Sequence, residues 1–224
     1  MDFSKFFQQY EDLVGQVELA FDKVKHEYND CVKCKVGCAD CCHALFDLTL
    51  IEALYIRSKF DDSFEEAAQQ IILARANAAD REIYKLKRKA FKEHQGGKSD
   101  DEILEELAQK RVRCPLLNTG DQCDMYTARP ITCRLYGIPT QIGEKAHCCH
   151  LSGFQPQQPY PTVKLDQIQQ RLFQISFNLA HEIRSRYPGL GDMLVPLSMA
   201  LLTDYSEAYL GVNTDQPSES KKQS

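Results

Sequence analysis

The stretch Cys31-x-x-Cys34-x-x-x-Cys38-x-x-Cys41-Cys42-His43 puts five cysteines within twelve residues. Thiols at this density hold a soft or borderline metal, hold an iron–sulfur cluster, or cross-link as disulfides. A second set follows at Cys114, Cys123, Cys133, Cys148 and Cys149, bringing the total to ten. With 224 residues the chain is long enough to bury an apolar core, so disulfides are not required merely to hold it together. The opening residues lack the basic start and apolar run of a signal peptide, and no window of about 18 apolar residues suggests a membrane span. The expected compartment is therefore the cytoplasm, where disulfides are rare and clustered cysteines read as metal-binding or redox chemistry.

The formal net charge is −5, which argues against non-specific binding to nucleic acid or to an anionic membrane. Trp is absent and aromatics make up 9%, so no base-stacking surface is indicated. The partner to expect is a protein or small molecule that the sequence does not identify.

Hydrophobic periodicity predicts a mainly α chain, an irregular helical domain whose Cys-rich loops are organised around a metal site. Phe3, Phe6, Phe7, Tyr10, Leu13, Val14, Val17, Phe21 and Val24 form one stripe on a helix of about six turns. Thr49-Leu-Ile-Glu52 has the form of a capping box, which starts a helix at Leu50 carrying Ile51, Leu54, Tyr55 and Phe60. Ser63-Phe-Glu-Glu66 repeats that signature before a long helix with Ala67, Ile71, Ile72, Ala78, Ile83, Leu86 and Phe91 as buried positions, ended by Gly96-Gly97. Its basic late part (Lys85, Lys87, Arg88, Lys89, Lys92) reads as a solvated face. Ser99-Asp-Asp-Glu102 opens a shorter helix with Ile103, Leu104, Leu107 and Val112. From Cys114 to about Pro161 periodicity stops, no strand pattern stands out, and the chain reads as loops and single turns that need something to fix them. A last long helix is expected over 163–187 on Leu165, Ile168, Leu172, Ile175, Leu179 and Ile183, and a short one within Met193–Leu202 with Pro196 near its start. The expected organisation is an N-terminal packing helix over 1–27, a cysteine-cluster metal-binding domain over 28–161, and C-terminal helices over 162–204 packing on it as one compact domain. A disordered tail over 213–224 completes it.

A tetrahedral zinc site takes four Cys or His donors about 2.0–2.3 Å from the ion. Cys38-x-x-Cys41 is one tight pair, because two intervening residues turn the chain enough to aim both sulfurs at one point. The later cysteines come from separate loops. Ten thiols exceed one four-coordinate ion, so the count points to more than one metal, to a cluster, or to some thiols that are only buried. In Cys41-Cys42 and Cys148-Cys149 neighbouring side chains tend to point apart, so one thiol of each pair is free for a second role. His43, His147 and His150 flank these pairs as ligand or second-shell candidates. Arg129-Pro130-Ile-Thr-Cys133-Arg134 sets guanidinium groups beside a thiol, which would favour its anion.

Together these residues resemble the CxxCxxCC cysteine-cluster family (YkgJ-like zinc- or iron-chelating domains) over about Cys31–Cys149. The first motif is carried by Cys34, Cys38, Cys41 and Cys42, with Gly37. The second is carried by Cys114-Pro115-Leu116, Cys123, Tyr126, Arg129-Pro130 and Cys133-Arg134, and a final Cys by Cys148 or Cys149. The resemblance implies a zinc or iron centre, including an iron–sulfur cluster, with Cys34, Cys38, Cys41, Cys42, Cys114, Cys123, Cys133, Cys148 and Cys149 as candidate ligands. Cys34 and Cys38 are separated by three residues where the family has two, so Cys31 and Cys34 remain alternatives for the first position. A related pattern occurs in flagellin lysine methylases, but no glycine-rich nucleotide loop follows a strand here. Three function classes stay open: a metal-binding protein, an iron-dependent enzyme or redox protein, and a metal carrier or scaffold for a partner.

Overall fold

The computed structural model describes residues 1–35 and 37–212, so the expectation of a disordered tail lies outside the described residues. The chain is broadly helical. Helix α1 (Ser4–Glu27) buries Phe6, Tyr10, Leu13, Val17 and Val24, the centre of the stripe read from the sequence. Strand β1 (Asp47–Thr49) leads into α2 (Leu50–Ser63), which starts at the expected capping box. Residues Leu50 to Ile56 of α2 are all buried, the mark of a helix enclosed on every side rather than one lying on a surface.

Helix α3 (Glu66–Gln95) begins behind Glu65, not at a box on Ser63, because Ser63 is still the last residue of α2. Its buried face is Ile72, Ala76, Ala79 and Ile83. Of the expected positions Ile72 and Ile83 are buried and Leu86 is half-buried, whereas Ala67, Ile71, Ala78 and Phe91 are exposed. The small side chains Ala76 and Ala79 let a neighbour approach, and α7 (Leu197–Leu202) packs there. Gly96 caps α3 and Gly97 takes φ +92°, ending it as expected. Helix α4 (Asp100–Ala108) opens on the Ser99/Glu102 capping box and buries Ile103, leaving Leu104 exposed.

The irregular stretch holds more order than its sequence shows. A 3₁₀ turn at Tyr126–Ala128 precedes the short helix α5 (Ile131–Leu135). Strands β2 (Thr140–Ile142) and β3 (Lys145–His147) form an antiparallel hairpin, and β4 (Val163–Lys164) joins β2 in parallel. Helix α6 (Leu165–Glu182) stops five residues before Tyr187, where Ile183 caps it and Arg184 turns to φ +52°. Of the apolar Met193–Leu202 segment, Leu194–Pro196 is strand β5, paired antiparallel with β1, and only the rest is helical. Helix α8 (Glu207–Leu210) follows. One cluster of buried side chains joins α1, α2, α6 and α7 and reaches Leu116, Met125, Ile131 and Leu135 of the cysteine-rich stretch.

Glu52 connects that core to the loops. It is 4% exposed, and its Oε2 accepts the Thr49 N–H (3.2 Å) and the Thr49 hydroxyl (3.1 Å). Its Oε1 accepts the N–H of Ile131, the first residue of α5, at 3.2 Å. Burial raises its pKa even though all three donors favour the anion. Glu52→Gln would turn an N–H group of its own against one of these donors. Such a buried, unpaired donor costs about 2 kcal/mol, and urea unfolding of the full chain should show a loss of that size.

Candidate metal centre

Four chain segments meet at one cavity of about 620 Å³. The first is the knuckle after α1. The Cys38 N–H reaches the Lys35 carbonyl at 2.9 Å, and Gly37 supplies the φ of +84° that such a turn needs. A 3₁₀ turn over Asp40–His43 follows, with the Cys42 N–H on the Ala39 carbonyl at 3.0 Å. The second segment runs antiparallel to its exit: Cys114 N–H donates to Cys42 O at 2.7 Å and Val112 N–H to His43 O at 3.1 Å. Two backbone hydrogen bonds thus join cysteines 72 residues apart. The loop then closes on itself, with Leu117 N–H on Cys114 O (3.1 Å), Asp124 N–H on Leu116 O (2.8 Å), and the Asn118 side chain taking the N–H groups of Gly120 and Gln122. Arg75 of α3 clamps it from outside through the Leu117 carbonyl (2.9 Å) and the Asp124 carboxylate (3.0 Å). The third segment is α5, which carries Cys133. The fourth is the crossover between β3 and β4, which returns past the end of α1. There Gly153 N–H binds the Cys31 carbonyl at 2.8 Å, and Tyr28, Phe154 and Tyr160 pack ring against ring.

Cys34, Cys38, Cys41, Cys42, Cys114, Cys123, Cys133 and Cys149 line the cavity. Cys148 is exposed and does not line it, and neither does Cys31. All ten cysteines are free thiols. The neighbouring Cys133 and Cys42 thiols favour the Cys41 anion, and with the Arg129 guanidinium they lower the Cys41 pKa against the opposing effect of burial. The same contacts, with burial, push Cys133 and Cys42 up. Burial pushes Cys114 up to about 12, and burial with the neighbouring Cys38, Cys149 and Cys41 pushes Cys34 up to about 11. The cavity therefore favours a thiolate at Cys41, beside the Arg129 guanidinium, while the raised thiols of Cys34, Cys42, Cys114, Cys123 and Cys133 lose their protons more readily when a cation compensates the charge.

The arginines divide their work. Arg129 stacks on Tyr126, 3.9 Å from the ring centre, and faces the thiolate. Arg134, expected beside a thiolate, is buried and serves the backbone instead: it binds the carbonyls of Arg129 (2.8 Å) and Thr127 (2.6 Å) and the Glu18 carboxylate of α1. Of the histidines, His43 turns Nδ1 to the Ala39 carbonyl at 3.0 Å, and His147 sits exposed in β3. His150 lies beside Asp40. Asp40 reads from the sequence only as a turn former, yet it stands at the rim of the cavity with Cys149 and His150. Its place inside the Cys38-x-x-Cys41 knuckle was the available signal.

A mainly helical fold carrying a cavity lined by eight thiols is the frame of a thiol-rich, metal-chelating protein. The family model for CxxCxxCC, described as "Putative zinc- or iron-chelating domain", matches residues 33–150, just over half of the chain, and the chain belongs to this family. No curated protein and no solved structure matches it.

Gly137 decides the seat of Cys34. It adopts φ +108°, and a Cβ built there would stand 2.3 Å from the Cys34 sulfur, whose S–H reaches the Tyr136 carbonyl at 3.2 Å. Gly137→Ala should destabilise the protein by about 2 kcal/mol or more, from backbone strain together with the clash. In denaturant unfolding, Gly137→Ala combined with Cys34→Ala should recover the clash part of that loss. Strictly additive effects of the two substitutions would show that the contact is absent.

Proposed function

We propose that this protein binds zinc or iron through the thiols of its central cavity, with Cys38, Cys41, Cys42, Cys114, Cys123 and Cys133 as the ligand set and Cys34 joining them from the Gly137 side. The carrying observation is the convergence of eight cysteines from four distant segments on one cavity. The donors fit such a centre. Thiolates select borderline and soft ions over magnesium or calcium, and the surroundings of Cys41 favour its anion. A zinc or iron ion bound there would cross-link the four segments and offer Lewis acidity or electron transfer, according to which metal is loaded. The chain's own part is to prepare the donors. Cys133 and Cys42 favour the Cys41 thiolate, Arg129 adds positive charge, and the Phe46 and Leu116 side chains keep part of the wall apolar. Protons on Cys114, Cys133 and Cys42 must leave as metal binds, so affinity falls with acidification.

A polynuclear centre is the second reading, favoured by the number of sulfurs. Eight thiols exceed the four donors of one tetrahedral ion, which suits an iron–sulfur cluster or two ions better than a single zinc. On this reading the chain is an iron-dependent redox protein or enzyme.

Anaerobic purification followed by quantification of zinc, iron and acid-labile sulfide separates these readings. At least one metal equivalent per chain is expected, and Cys41→Ser or Cys123→Ser should lose the metal held by the thiols of the inner cavity. Sulfide with broad visible absorption identifies a cluster. A folded, colourless, metal-free protein would overturn the proposal.

A further inference from the structure

At the rim of the cavity, three side chains of different chemistry converge outside the ligand set proposed above. Asp40 Oδ2 lies 3.5 Å from the Cys149 sulfur and 3.6 Å from His150 Nδ1, and all three ligand atoms fall within 4.8 Å of one another. Among the described residues no other group of three His, Cys, Asp or Glu side chains converges this closely. Two donors each bonded about 2.0–2.3 Å from one tetrahedral ion stand roughly 3.3–3.5 Å apart. The Asp40–Cys149 and Asp40–His150 separations are close to that spacing, and in the ion-free chain the first of them is a hydrogen bond from the Cys149 thiol to the carboxylate.

The carboxylate is also oriented for this task. Arg111 binds Oδ1 and the Asp40 backbone carbonyl (2.8 Å), and the Tyr136 hydroxyl is a further partner, so Oδ2 is the oxygen turned to Cys149 and His150. The Asp40 side chain is 9% exposed and that of His150 is 69% exposed, so a donor set anchored on its inner side is open to solvent on the other. The position of Cys149 is fixed from its C-terminal side: Ser152 N–H and hydroxyl bind its carbonyl at 2.9 and 2.6 Å, and the Gly153 N–H binds the Cys31 carbonyl.

We infer that Asp40, Cys149 and His150 form a second metal site, a three-ligand site for a borderline divalent cation of the zinc or iron(II) class, at the edge of the all-sulfur cavity whose lining Cys149 shares. Three protein ligands leave a fourth position for water or substrate, the arrangement that distinguishes a reactive site from a closed structural one. The thiolate and imidazole exclude magnesium and calcium, and the single carboxylate sets this site apart from its all-thiol neighbour. Arg111 plays the part of the outer hydrogen-bonding partner that fixes a ligating carboxylate.

The test uses the full chain, purified anaerobically, equilibrated with Co²⁺ and freed of unbound ion. Total bound zinc, iron and cobalt are then counted, and the cobalt absorption spectrum is recorded. His150→Ala, which removes an exposed side chain and leaves packing intact, and Asp40→Asn should each bind one equivalent fewer than the unaltered protein, or bind that equivalent at least tenfold more weakly. Cys123→Ser, which disrupts the inner cavity, should keep it. Unchanged stoichiometry, affinity and spectrum in both rim variants would overturn the second site. Loss of the equivalent in Cys123→Ser, with its retention in His150→Ala, would overturn it as well while leaving the inner centre standing. A Cys123→Ser protein that differs from the unaltered chain in nothing would instead count against the inner centre alone.

Discussion

Glu52 is an enclosed carboxylate whose two oxygens start different helices: one takes the N–H and hydroxyl of Thr49 at the head of α2, the other the N–H of Ile131 at the head of α5. A buried charge is costly unless its lone pairs are met, and here three donors meet it. The arrangement ties the most enclosed helix of the core to the short helix carrying Cys133. Within the same turn of α5, Arg134 makes the matching attachment to α1 through Glu18, so α5 is held from two sides. The sulfur of Cys133 is thereby placed against Cys41 by elements that contain no ligand of their own.

The same logic runs through the other segments. The backbone pairing of Cys42 with Cys114 sets two knuckles side by side, Arg75 holds the second from α3, and the aromatic trio of Tyr28, Phe154 and Tyr160 seats the crossover. Each is an interaction between chain segments far apart in sequence. The helices thus act as a frame, and the irregular stretch between α4 and β4 is ordered by contacts to that frame as well as by its own short turns and strands.

How much of this the sequence discloses depends on the range of the interaction. Local signals read correctly: the α1 stripe, the Thr49/Glu52 and Ser99/Glu102 capping boxes, and the Gly96-Gly97 stop are all set within a few residues. The Ser63–Glu66 box fails because α2 continues through Ser63. Periodicity cannot choose between the adjacent Ile71 and Ile72, since the choice belongs to the α7 face packed on Ala76 and Ala79. Strands of two or three residues are too short to leave a pattern, and they exist because distant partners pair with them. Within the site, the spacing of Cys38, Cys41 and Cys42 announces chemistry, whereas the second duty of Glu52, the turn of Arg134 away from sulfur, and the meeting of Asp40 with His150 all arise from contacts made across 70 to 120 residues.

The order of the segments along the chain has a consequence during synthesis. Asp40 and Cys149 are 109 residues apart, and Cys42 is separated from Cys149 by almost as many. At ribosomal rates of about 5–20 residues per second, the first knuckle emerges roughly 5–20 s before the last cysteine of the rim exists. For most of that interval its thiols lack both Leu116 and Arg129, and any ion captured early meets an incomplete donor set. The finished cavity, with its final strap laid across the end of α1, is the first state in which the chain itself decides what it holds.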